Sequence, residues 1–244
     1  MKTIISIKNL VKEYHVSKQN IVHALNGVSL DVFDGEFLAI TGHSGSGKST
    51  LLNVLGLLDN PSGGELYIGG NEIHNFTEKQ KVQFRLKELS FVFQFFNLIE
   101  NYTAFENISF QLQLQGYGGR ESKRKTQEII DFLGLTDRAS FFPHELSGGE
   151  QQRVAIGRAL AKDSLFILAD EPTAHLDSKN GEAIIKLLHE INTKFGRTIV
   201  LVTHEEEEAK HADRKVVMSD GKIIDIVDMN QKVPIASAYS SSRM

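Results

Sequence analysis

The chain has 244 residues, 41% hydrophobic and 24% charged, with a net charge of −4 and no cysteine. That composition suits a globular protein of one domain or of two closely joined subdomains. The acidic balance argues against a nucleic-acid partner, which would call for a basic domain; the missing cysteines exclude disulfide frameworks and Cys-based zinc or iron–sulfur sites and suit a reducing compartment. In chain order, Met1-Lys2-Thr3-Ile4 runs quickly into Lys8, Asn9, Lys12 and Glu13, so no signal-peptide core is expected. Residues 4–10 and 27–33 read as strands, with Val28, Leu30 and Val32 alternating with polar neighbours. Phe37-Leu38-Ala39-Ile40 is a nearly continuous apolar run, followed by a Gly-rich stretch and a helix expected over residues 50–58. A short strand, Glu65-Leu66-Tyr67-Ile68, lies between Gly63-Gly64 and Gly69-Gly70, and with the first two strands it predicts an antiparallel sheet.

Residues 76–162 read as mostly helical, with Thr77 as an N-cap and Glu78 in the first turn. A polar, Gly-containing break is expected over residues 111–119, then a helix over 121–133 stopped by Gly134. Residues 165–169 and 198–202 repeat the pattern of 37–40, that of parallel strands buried on both faces. Each precedes a helix, so the core is expected to be α/β. No internal repeat is visible, and residues 237–244 read as a loose polar tail. No run approaches the ~18 apolar residues of a membrane span, so on a membrane other chains would do the crossing.

Gly42-His43-Ser44-Gly45-Ser46-Gly47-Lys48-Ser49 fits G-x-x-x-x-G-K-[ST], with a buried strand before it and Thr50 opening the helix behind it. Glycines let the backbone turn its N–H groups toward phosphates, and the helix terminus adds its dipole. Lys48 should reach the β- and γ-phosphates and Ser49 a Mg²⁺ ion. A second anion-binding helix start follows at Leu146-Ser147-Gly148-Gly149-Glu150-Gln151-Gln152-Arg153. One triphosphate site per chain leaves this second cradle without a phosphate of its own. Asp170-Glu171 ends the apolar run 165–169, where a Mg²⁺-holding Asp belongs, with Glu171 as general base or water-orienting group.

These motifs resemble those of ABC ATPases, over residues 3–227. Ser147, Gly148, Gly149 and Glu150 match the LSGGQ signature, with Glu150 where Gln is usual. The resemblance implies that the signature of one subunit closes over the ATP held by the P-loop of a second copy, in a head-to-tail dimer. Asp170 then resembles the Walker B acid and residues 172–177 the D-loop, where His175 is a departure. His204 resembles the switch His at the γ-phosphate, Gln94 the Q-loop Gln near Mg²⁺ and water, and Tyr14 the aromatic that stacks on adenine. The implied fold is a P-loop NTPase core with a parallel sheet, an antiparallel β subdomain, and a helical subdomain at about 95–160 inserted between P-loop and Walker B. The ATPase domain would span 1–227 and a polar tail 228–244. The run Glu205-Glu206-Glu207-Glu208 reads as a solvated first helical turn, since consecutive helical residues do not converge on a metal.

Phe91-Val92-Phe93-Gln94, the following residues 95–107, and Asp59-Asn60-Pro61-Ser62-Gly63-Gly64 resemble the lipoprotein-release, macrolide-export and cell-division branch. That resemblance implies a peripheral subunit on the cytoplasmic face of the membrane, paired with an integral membrane permease that has an extracytoplasmic domain. Phe95, Phe96, Leu98 and Ile99 are either part of a groove for a permease helix or simple packing. A mechanical or regulatory ATPase without transport is the alternative. A DNA-repair type is disfavoured, since the interval from Lys48 to Leu146 has no heptad run and no Cys.

Overall fold

The computed structural model describes residues 2–17 and 20–229. The part of the expected tail from residue 230 onward, including 237–244, lies outside the described residues. Among the described residues there are two sheets. The first has the order β2-β1-β4-β5 and is antiparallel: β1 (Thr3–Ser17), β2 (Asn20–Phe33), β4 (Gly63–Ile68) and β5 (Asn71–Glu72). Its register sets Ile5 opposite Val32 and Ile68, and Ile7 opposite Leu30 and Leu66, so one face is apolar. β1 and β2 run well past residues 10 and 27, because the hairpin continues pairing its backbone where it no longer covers the core. Apolar alternation marks only the covered part.

The second sheet has the order β10-β9-β3-β8-β7-β6. It comprises β3 (Phe37–Thr41), β6 (Leu89–Val92), β7 (Phe166–Asp170), β8 (Thr198–Val202), β9 (Arg214–Ser219) and β10 (Lys222–Asp228). β9, β3, β8, β7 and β6 are parallel, and β10 returns antiparallel. The three apolar runs are its central strands, and period 2 divides each between two cores. Leu38, Ile40, Phe166, Leu168, Val200 and Val202 pack toward the antiparallel sheet. Phe37, Ala39, Ile167, Ala169, Ile199 and Leu201 pack toward the helices on the other face.

The helices are α1 (Lys48–Leu55), α2 (Glu78–Glu88), α3 (Ala104–Leu114), α4 (Gly119–Phe132), α5 (Gly148–Ala161), α6 (Ser178–Phe195) and α7 (Glu206–Ala209). Thr77, Thr103 and Ser147 each cap a helix in a reciprocal box with Gln80, Glu106 and Glu150. Four expectations need correction. The stretch 76–162 is interrupted by β6, whose four residues are too few to show a period. The break over 111–119 shrinks to residues 115–118, because Leu112 is buried and keeps α3 going. The helix expected over 50–58 runs instead from Lys48 to Leu55, ended by Gly56 and a left-handed Leu57 at φ 55°. Of the acidic run, Glu205, Glu206 and Glu207 are exposed but Glu208 is not.

Candidate nucleotide site

The register of the parallel sheet assembles the site. Ile40 pairs with Val202, and Val202 pairs with Asp170, so the chain after β3, β7 and β8 leaves the sheet at one carboxyl edge. The P-loop, Asp170-Glu171 and Thr203-His204 therefore converge, at the edge where α/β sheets bind ligands. Val92 pairs with Ala169, which brings half-buried Gln94, two residues beyond β6, to the same edge beside Asp170.

The P-loop is shaped by its neighbours. A Cβ on Gly42 (φ 150°) would lie 2.3 Å from the Met218 carbonyl oxygen, and one on Gly47 (φ 102°) 2.5 Å from that of Ala24. Only glycine fits both places, so the loop lies tight against β9 and β2. The Gly221 N–H donates to Ser46 O at 3.0 Å, and the His43 ring contacts the Ser44 carbonyl (2.8 Å) and the Ser219 hydroxyl (3.2 Å). Gly45, also left-handed at φ 78°, has open space around it. Lys48 is buried, and its ammonium donates to the carbonyls of Gly42 at 2.8 Å and His43 at 3.0 Å. Its charge thus lies across the loop. α1 starts at Lys48 without a side-chain cap, which leaves the first-turn backbone around Ser49 and Thr50 open to an anion.

Opposite stands the acidic pair. Asp170 Oδ1 is buried without a hydrogen-bond partner. Burial pushes the Asp170 carboxyl above its ordinary range, the Glu171 charge pushes the same way, and Lys48 opposes both. Glu171 sits at φ 42°, a conformation unusual outside glycine, and its N–H donates to Val202 O at 2.9 Å. Its Oε1 is 3.4 Å from His204 Nδ1, while His204 Nε2 is 3.3 Å from Glu205 Oε1. The imidazole therefore bridges two carboxylates. A cavity of about 620 Å³ opens beside them, lined among others by Glu171, Thr173, His204 and Glu208.

Tyr14 lies at one side of the P-loop helix. Its hydroxyl donates to Asp59 Oδ2 at 2.7 Å. Lys12 Nζ stands 4.8 Å from the Tyr14 ring and 2.6 Å from Asp59 Oδ1. The signature has different surroundings. Ser147, Gly148, Gly149 and Glu150 open α5; a Cβ on Gly148 would meet Leu176 at 3.2 Å and Phe96 at 3.6 Å, and one on Gly149 would meet Asn180 at 3.0 Å. The signature thus packs on the D-loop and Q-loop, whereas the P-loop packs on β2 and the β9–β10 hairpin.

Residues 25–174 match the family profile described as "ABC transporter". The chain belongs to the ABC transporter family. The lipoprotein-releasing system ATP-binding protein LolD of Bacteroides fragilis is 44% identical over 203 residues, 83% of this chain and 94% of LolD. The macrolide export ATP-binding/permease protein MacB of Burkholderia lata is 41% identical over 221 residues, 91% of this chain but 32% of MacB. A dimeric post-hydrolysis structure of the ATP-binding cassette MJ0796, from Methanocaldococcus jannaschii and bound to ADP and Pi, matches with a TM-score of 0.84 and 40% identity, covering 93% of this chain and 99% of that one. The fold is that of an ABC ATPase, and the chain is the ATP-binding, ATP-hydrolysing subunit of an ABC transporter. Among the described residues no helix is long and apolar enough to cross a membrane.

Several contacts in this ABC ATPase have no sequence signal. Glu208 accepts the hydroxyls of Thr173, in the D-loop, and of Thr203 (2.5 Å), just before His204. The expected solvated turn was wrong for this residue, because Thr173 from the D-loop and Thr203 from the loop just before α7 converge on its carboxylate. His175, the D-loop departure, packs against Phe95 with ring centroids 4.6 Å apart and planes tilted by 36°. From α5, Gln152 donates to Phe93 O (3.3 Å) and Arg158 to Asn97 O (2.6 Å) and Phe96 O (3.0 Å), which ties the signature helix to the Q-loop. The capping box of Ser147 and Glu150, by contrast, has a spacing that a sequence shows.

Proposed function

We propose that this subunit drives an integral membrane permease with an extracytoplasmic domain, as in lipoprotein-release and macrolide-export systems, by ATP-dependent dimerisation on the cytoplasmic face of the membrane. The likeness to LolD and MacB over most of this chain supports the branch. Residues 1–227 act as the ATPase domain, with the helical part at about 95–160 carrying the signature. Lys48 holds the β- and γ-phosphates, the backbone of residues 42–47 and the first turn at Ser49 and Thr50 cradle them, and Tyr14 stacks on adenine. The hard oxygen donors of Ser49, Gln94 and Asp170 suit Mg²⁺, and the buried, partnerless Asp170 Oδ1 is what such an ion would satisfy. When bound, Mg²⁺ neutralises charge on the phosphate oxygens.

Glu171 takes the proton from the attacking water, and its left-handed backbone aims it from the end of β7. His204, 3.4 Å from Glu171, contacts the γ-phosphate and orients the carboxylate. The observation that carries the dimer is the separate placement of P-loop and signature on one chain: each is half of a phosphate site. The signature of one copy closes over ATP in the other. Glu171→Gln keeps shape and removes the base, so ATP should stay at the interface and hold two chains together by mass action. Size-exclusion chromatography of this variant should show a monomer alone or with ADP and a dimer with Mg-ATP. Wild-type hydrolysis by the variant would place the base elsewhere; an inactive variant that never dimerises would remove ATP as the interface glue.

A further inference from the structure

The signature carries a charge where its chemistry is least welcome. Glu150 is in the first turn of α5, and its Oε2 accepts from the Ser147 N–H (2.8 Å) and the Ser147 hydroxyl (2.7 Å). An acid there satisfies the helix dipole and the capping donors that an incoming phosphate would use, and it repels that phosphate. The second carboxylate oxygen, Oε1, has a partner of opposite sign: Arg138 Nε at 3.2 Å. Arg138 comes from the 3₁₀ turn Thr136–Arg138 ahead of the signature, and its guanidinium lies 4.8 Å from the Phe141 ring, which holds it in place. As an exposed surface pair this contact would add little to folding stability. Its position next to Ser147 gives it a different use.

We propose that Arg138 is a positioning residue for the composite ATP site. It holds the Glu150 carboxylate by Oε1 and offsets its charge, so that Ser147 and the α5 terminus can receive the triphosphate bound to a second copy of this chain. The inference rests on the ATP-sandwich reading above. Without Arg138 the acid faces the γ-phosphate uncompensated, and the dimer needs more ATP to form. With glutamine at position 150 there is no charge to offset, so Arg138 becomes dispensable.

The test uses Glu171→Gln as the reference and reads the Mg-ATP concentration for half-maximal dimerisation by analytical ultracentrifugation at low and high salt. Adding Arg138→Gln should raise that concentration at least about fivefold at low salt, with a smaller rise at high salt. Arg138→Lys, which keeps the charge, should recover most of the loss. When Glu150→Gln is also present, Arg138→Gln should change the concentration less than about twofold. An unchanged concentration in Arg138→Gln overturns the proposal. So does an equal rise with and without Glu150→Gln, which would assign Arg138 a packing role through Phe141. If the Glu171→Gln reference itself stays monomeric with ATP, the sandwich reading falls and takes this inference with it.

Discussion

Asp170 shows how a single side chain can work against the fold that holds it. Its carboxyl is pushed above the ordinary range by burial first and by Glu171 second. For an acid with a raised native pKa, the stability it contributes is present below the unfolded pKa near 3.8 and is lost as pH rises through the native value. At neutral pH the ionised Asp170 is therefore a liability in the nucleotide-free protein. Asp170→Asn should melt at a higher temperature than wild type at pH 7, and the gain should vanish as pH falls below the carboxylate range. The same variant should bind Mg-ATP more weakly, because it loses the anionic ligand. Thermal melts across pH, with and without Mg-ATP, check both statements; a gain that persists at acid pH would assign the effect to something other than titration. The identity of Asp170 as a candidate ligand was legible from one pattern, an acid at the end of an apolar run. Its partnerless oxygen was not, since that depends on what Lys48, Glu171 and β8 leave around it.

At the scale of elements, the loops that carry chemistry are held by polar side-chain contacts, local ones within the switch loop and a long-range one to the D-loop. Glu208 ties the D-loop to the switch loop through Thr173 and Thr203, and Thr203 also accepts the Glu205 N–H at 3.0 Å. Glu208→Ala removes the shared acceptor and leaves two hydroxyls without it, at a cost of about 1 kcal/mol each. His204 and Glu171 then lose their fixed relation. The expected outcome is a fall in kcat on the order of tenfold or more, with KM for ATP little changed, since no phosphate contact is removed. Steady-state kinetics settle it; an unchanged kcat would mean that backbone pairing alone positions the two loops. The helix cap at Thr77 was read from the sequence; the box of Ser147 with Glu150 was not, although its members are only three residues apart. β6 was not readable: four residues, one of them Ser90 with its hydroxyl donating to Ala159 O at 3.1 Å, carry no period.

For the whole molecule, the proposed ATP sandwich would make hydrolysis a property of two copies. The ATPase rate per subunit should rise with protein concentration and level off once dimers dominate. A dilution series with sedimentation at each concentration tests this; a flat specific activity in a chain that is monomeric throughout would contradict it. The two cores serve the same arrangement. One joins the antiparallel sheet to the parallel sheet, the other joins the helices α3, α4, α5 and α6 to its opposite face, and the P-loop and signature belong to different flanks. A subunit so divided can present both halves of a site outward.

What the sequence by itself determined was local: the P-loop glycines, the three strands buried on both faces, the acid pair, the signature, and through them the family. Each of these rests on residues close along the chain, where spacing alone fixes geometry. Only the tertiary structure decided that Ile40, Val202 and Asp170 share a register, that Glu208 joins two loops, and that Arg138 reaches Glu150. Those contacts join residues far apart in the chain or outside any repeating period. Strand order and packing bring them together, and a linear pattern carries no record of either.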